Sequence, residues 1–250
     1  MSTRSDIAIF TLAHNEKEFL PIWANYYSQF GHTYVIDHDS TDGSADDLPV
    51  TAVIRAFNRF CWDHEWIYET CRTVQRRLLG HYKVVVFSTP DEILATEEGT
   101  LGDYLERFER QFVYARTGYH VTEMVGEEPL DWREPLLRQR HWWVPDATYG
   151  KPLIATRPVF WTAGFHGAAD AEDMAETRDP GLFLVHLHRI DRKQAEIRHK
   201  RMIDRPLHPS IGEDFEVTLT GERYIRWFYD LIDTYHLPVE AISEKARNLV

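Results

Sequence analysis

Over the first hundred residues, short apolar runs alternate with longer stretches of helical period. "DIAIFTLA" (6–13) is apolar and β-branched enough for a buried strand. "NEKEFLPIWANYYSQFG" follows, placing Phe19, Trp23, Tyr26, Tyr27 and Phe30 on one helical face. Proline is tolerated only in a first turn, so Pro21 starts this helix near Leu20, although Asn15 and Glu18 also have the spacing of a capping pair. Gly31 ends it on either account. "TYVID" (33–37) reads as a second strand, "TAVIRAF" (51–57) as a third, residues 63–80 as a helix and "KVVVFS" (83–88) as a fourth strand. The rhythm predicts an α/β fold with a mostly parallel central sheet flanked by helices, which binds ligands beyond the carboxyl ends of its strands. Three polar clusters fall at those ends: His14-Asn15-Glu16, Asp37 through Asp42, and Asp91-Glu92.

Beyond about residue 100 the pattern loosens. "LGDYLERFERQF" (101–112) has a helical stripe of Leu101, Tyr104, Leu105, Phe108 and Phe112, and 113–163 holds strand-like runs with irregular connections. In "LFLVHLH" (182–188) strand alternation puts His186 and His188 on the face of Leu184. "ERYIRWFYDLIDTY" (222–235) carries a core-facing helical stripe of Tyr224, Trp227, Phe228, Leu231 and Tyr235. No internal repeat or linker stands out.

Composition narrows the function. The 250 residues carry a formal charge of −12, which repels nucleic-acid backbones and argues against such a partner. "HRIDRKQAEIRHKR" (188–201) nevertheless gathers six Arg and Lys, either as a solvated helix face or as a local phosphate site. No apolar run is long enough to span a bilayer, and the N-terminus has no signal-peptide pattern, which leads to the expectation of a cytoplasmic protein, peripheral membrane contact left open. Cys61 and Cys71 form no CxxC pair and read as unpaired core thiols.

"AHNEKEFLPIWANYYSQFGHTYVIDHDSTDGS" together with "VVVFSTPDEIL" resembles the nucleotide-sugar half of a GT-A glycosyltransferase of the family-2-like group. "KPLIATRPVFWTAGFHG" and "LFLVHLHRID" look like that group's acceptor-side strands and late histidine segment, so the resemblance covers roughly residues 6–200. It implies a single GT-A domain, with about 1–98 as the nucleotide-sugar half and about 99–250 as a less regular acceptor half with C-terminal helices. The implied reaction moves a sugar from a nucleoside diphosphate donor to a hydroxyl of a polysaccharide or other glycoconjugate, assisted by Mn²⁺ or Mg²⁺. By the same resemblance, Asn15, Glu16, Asp39, Asp42, Asp91 and Lys151 contact the nucleotide sugar and Asp91 holds the metal, while His188, with His186 as rival, is the imidazole that would make up for a missing carboxylate ligand. The family's D-x-D-E motif is altered, because Thr89 stands where the first aspartate is expected.

Each residue also has a structural reading. Glu16 either meets the nucleoside or favours the positive end of a helix, Asp39 and Asp42 either bind base and ribose or close a turn, and Lys151 either faces phosphate or lies on the surface. An inverting transferase needs a base beside the acceptor hydroxyl, for which Asp170, Glu172 and Asp173 are candidates, with Glu92 and His166 as rivals. Trp132, Trp142, Trp143 and Trp161 either stack on sugar rings or fill the core. With Thr89 in the motif, two alternatives stand: a metal-independent transferase using Lys151, Arg192 or Lys193, and a non-catalytic GT-A domain that binds nucleotide or glycan.

Overall fold

The computed structural model describes residues 4–58, 63–169, 177–203, 228–233 and 237–250. It is an α/β structure with a large mixed sheet flanked by helices, and the chain divides into two compact units. One comprises Met1–Phe57, His64–Gly118 and Asp146–Val185, and the other Asn58–Asp63, Tyr119–Pro145 and His186–Val250.

In the first unit, β1 (Ile7–Ala13), β2 (His32–Asp37), β3 (Ala52–Arg55) and β4 (Val84–Phe87) pair in parallel, ordered β3-β2-β1-β4. β1 and β4 are almost wholly buried, as expected of parallel strands covered on both faces. α1 (Leu20–Tyr27) begins where Pro21 requires, and no side chain caps it. Asn15 and Glu18 therefore do not form a capping pair. α2 (His64–Leu79) buries Ile67, Cys71, Gln75 and Leu78, and burial pushes the Cys71 thiol well above its ordinary pKa. Cys61 lies outside the described residues.

The sheet departs from the mostly parallel expectation after residue 100. α3 (Leu101–Glu106) lasts only six residues, and Phe112 opens the long β6 (Phe112–Thr122) instead of ending a helix. β8 (Pro152–Ala155) runs antiparallel to both β4 and β6. Antiparallel neighbours need no helical crossover, and this stretch of the chain has no long helix to provide one. β5 (Glu92–Thr96) pairs with β9 (Arg178–Arg189), which also pairs with β6.

In the second unit, β7 (Trp142–Asp146) pairs antiparallel with the short β10 (Glu240–Ala241). Val144, Ala195, Phe228, Tyr229 and Ile232 form its core, Ala195 coming from α4 (Arg192–Ile203). Residues 228–233 are helical, and Tyr224, Trp227 and Tyr235 of the expected stripe lie outside the described residues. The fully buried Arg140 ties the unit together, donating to the Ile190 carbonyl at 2.7 Å and the Glu128 carbonyl at 3.0 Å. No helix among the described residues is long and apolar enough to cross a membrane.

Candidate functional site

The parallel register sets Ala13 opposite Asp37, so β1 and β2 deliver their exit loops side by side. Asn15 adopts a left-handed backbone (φ 55°), a conformation that Asn enters more readily than most residues. Its side-chain oxygen accepts from the Thr41 N–H at 2.7 Å, and its own N–H donates to Ser40 Oγ at 3.0 Å. Asp42 accepts from the backbone N–H of Ser44 (2.9 Å) and of Lys17 (3.4 Å), and His14 Nδ1 donates to the His38 carbonyl at 2.6 Å. Asp37 is buried, paired with Arg55 and bonded to the Ser40 N–H. Turn closure therefore accounts for the Asn15 and Asp42 contacts. Asp39, also left-handed (φ 59°), shares the loop and is half-buried. Glu16 lies in the turn before α1, its carbonyl accepting from the Leu20 N–H at 2.8 Å.

The stretch Ser88–Glu92 is a turn joining two strands. Ser88 Oγ donates to the Glu92 carbonyl at 2.7 Å, and the Glu92 N–H donates to the Thr89 carbonyl at 3.0 Å. Tyr27 clamps this turn from α1: its hydroxyl bonds Ser88 Oγ and the Glu92 carbonyl and accepts from the Leu94 N–H at 2.8 Å. Glu92 is fully buried, ion-paired with the buried Lys151 and bonded by the Tyr149 hydroxyl at 2.8 Å. Lys151 is thus the counter-ion of Glu92, neither a surface lysine nor exposed to solvent.

Two glycines make this trio possible. A Cβ on Gly118 would lie 2.7 Å from Tyr149, and one on Gly150 would lie 2.3 Å from the Ala115 carbonyl oxygen. Only a bare Cα lets the Tyr149–Lys151 segment lie this close to β6. His166 is exposed, with its ring edge-on to Tyr149 at 5.0 Å, so Glu92, Lys151 and His166 gather around Tyr149. Asp170, Glu172 and Asp173 lie outside the described residues.

Thr89 serves both carboxylates: its Oγ1 donates to Asp91 Oδ1 at 2.9 Å and its N–H to Glu92 Oε2 at 3.3 Å. Asp91 is buried in the first unit, and His186 and His188 belong to the second. A carboxylate suits Mn²⁺ and Mg²⁺ alike, whereas an imidazole ligand favours Mn²⁺. In the second unit, His186 Nδ1 is 2.8 Å from His120 Nδ1, Arg189 Nη1 is 3.2 Å from the same His120 nitrogen, and Arg198 Nη1 donates to His188 Nδ1 at 2.8 Å. No protein-family model matches the chain, and no curated protein matches it.

The basic segment is largely committed. Arg192 donates to both carboxylate oxygens of Asp233 (2.7 and 2.9 Å) and stacks on Tyr229, while Lys193 is exposed. Of the tryptophans, Trp161 packs with Phe10 and Phe87, Trp143 stacks on Tyr119, Trp132 is half-buried and Trp142 is exposed. Sequence reasoning missed His120 and Tyr149. The only local trace of His120 is strand alternation within β6, and Tyr149 lies outside any periodic run.

Proposed function

We propose that this chain is a nucleotide-sugar-dependent glycosyltransferase assisted by a divalent cation. The observation that carries the reading is Asp91: it is buried and follows the parallel strand β4 at its carboxyl end, where open α/β sheets bind ligands. Bound there, a cation would supply positive charge to the departing diphosphate. In this reading Thr89 replaces a ligand by a positioning hydroxyl, because its proton holds one Asp91 oxygen. The loops carrying Asn15, Glu16, Asp39 and Asp42 receive the nucleoside, and Glu92 with Lys151 forms the rigid base of the site.

In the transfer, the bond from the anomeric carbon to the diphosphate oxygen breaks, a bond to the acceptor oxygen forms, and the acceptor proton leaves to a base. His166 is proposed for that base because it is exposed, whereas the Glu92 carboxylate is occupied by Lys151 and Tyr149. The acceptor is a polysaccharide or other glycoconjugate hydroxyl, and the site of action is the cytoplasm.

Calorimetric titration of UDP, GDP, CDP and their sugar conjugates tests this, first with Mn²⁺ and then with EDTA. Binding of one nucleotide with Mn²⁺ and loss with EDTA is expected, and nucleotide binding that EDTA leaves unchanged removes the cation. A second reading, a nucleotide- or glycan-binding module without turnover, is favoured by Thr89 at the motif position. Turnover of a sugar nucleotide that Asp91→Asn abolishes in a folded protein excludes it.

A further inference from the structure

At the far end of β5 from Glu92, the first unit holds a second concave surface. β5 carries the chain about 13 Å from Glu92 to Thr96. There the Glu97 N–H donates to the Gly181 carbonyl at 2.8 Å, which brings the start of β9 against the approach to α3. Beside this junction opens a cavity of about 550 Å³, a size usual for small-molecule sites. Its lining comes from residues 98–110 and Asp179, all within the first unit, and shares no residue with the site at the end of β4.

The walls are held in place by the protein itself. Asp179 accepts from the Tyr104 hydroxyl at 2.9 Å, from Arg110 Nη1 at 3.5 Å and, through its other oxygen, from the Gly181 N–H at 2.8 Å. Thr100 and Asp103 cap α3 reciprocally, and the Thr100 hydroxyl holds the Asp103 carboxyl below its ordinary pKa. Burial pushes the Tyr104 pKa up, so its hydroxyl stays a donor. The charges decide what can enter. Glu98, Asp103, Glu109 and Asp179 bring carboxylates, which only accept hydrogen bonds, and Arg107 and Arg110 bring guanidiniums, which only donate them. An anion meets the carboxylates and a cation meets the arginines, each at a cost. A neutral ligand rich in hydroxyls satisfies both kinds of wall, because a hydroxyl donates and accepts. Tyr104 and Phe108, with ring centroids 6.0 Å apart, add aromatic surface for the apolar face of a sugar ring.

We propose that this cavity binds a neutral saccharide, separately from the site at the end of β4. The walls alone carry the site, and only its link to an acceptor rests on the transferase reading. In that reading the saccharide is a stretch of the acceptor glycan, and holding it here raises the effective concentration of the reacting hydroxyl. Acidic glycans are rejected, because their carboxylates would face Glu98 and Glu109.

The test is ¹H–¹⁵N spectroscopy of the full chain titrated in turn with maltotriose, cellotriose, mannotriose and triacetylchitotriose. At least one should shift the backbone amides of residues 98–110 and 179–181 saturably. Glu98 and Arg107 are exposed, so Glu98→Ala combined with Arg107→Ala should leave the melting temperature unchanged while weakening that binding about tenfold. Undiminished binding by the folded double variant overturns the site, as does a panel in which no saccharide shifts these amides. Inorganic phosphate or spermidine binding there more tightly than every saccharide overturns the neutral class. Nucleotide titration reads the transferase proposal independently. Saccharide binding here without nucleotide binding removes that reading and leaves this site, and nucleotide binding without saccharide binding removes this site alone.

Discussion

The acidic loops after β1, β2 and β4 and the histidine-bearing end of β9 are built by different rules. In the loops, Asp37, Asp42 and Thr89 bond groups two or three residues along the chain, while the Asn15–Thr41 and Lys17–Asp42 contacts join loops 25 or 26 residues apart. At the end of β9, His186 and Arg189 meet His120 from 66 and 69 residues away. Loop geometry of the first kind tolerates change one contact at a time. A relay of the second kind changes state as a whole, because one altered proton position reassigns the next.

The largest expected effect lies beneath the loops. Lys151→Met leaves Glu92 buried and uncompensated and should lower stability by about 3–5 kcal/mol in urea denaturation. A loss below about 1 kcal/mol would mean that Glu92 finds another counter-charge. Tyr27→Phe removes the clamp on the Ser88–Glu92 turn, leaving the buried Leu94 N–H without that acceptor, and should cost about 1–3 kcal/mol.

The same tyrosine carries a pH signature. Burial raises the Tyr27 hydroxyl pKa far above its ordinary value of about 10. Its neutral form is favoured in the fold, so its contribution is present below about pH 10 and lost as pH rises toward the folded value. Tyr27→Phe should therefore reduce stability at neutral pH and flatten the alkaline fall, and an equally steep fall would assign that limb to other tyrosines.

Asn15→Ala should cost about 1–2 kcal/mol, from the left-handed backbone and the Thr41 N–H it releases. Asn15→Gly should recover part of that cost, and the two variants together separate backbone strain from the lost hydrogen bond. The smallest change in stability is expected at Asp91. Asp91→Asn should shift the melting temperature by no more than about 4 °C, roughly 1 kcal/mol for a chain of this size, while weakening Mn²⁺ binding at least tenfold. Severe unfolding would make Asp91 a structural residue.

This contrast also explains what could be read from the sequence. The parallel strands and α1 were legible because burial on two faces and proline chemistry leave local marks, as at "KVVVFS" and Pro21. The helical stripe of "LGDYLERFERQF" misled because Phe108 and Phe112 are buried without being helical, Phe112 already belonging to β6. Antiparallel pairing of β8 with β4 depends on partners dozens of residues away and leaves no periodic trace. Asp91 was marked by its position after a strand, and His188 by alternation within "LFLVHLH". His120, Tyr149 and the pairing of Lys151 with Glu92 were not, because their meaning depends on which distant side chain they face.

Gly118 and Gly150 have a consequence for anyone who would redesign this protein. A Cβ on Gly118 would meet the Tyr149 backbone oxygen as closely as its ring, and one on Gly150 would meet the Ala115 carbonyl oxygen. Shrinking residue 149 therefore frees neither position, because main chain bounds both. A library that holds 118 and 150 as glycine keeps this close approach and leaves the side chains around it open to variation.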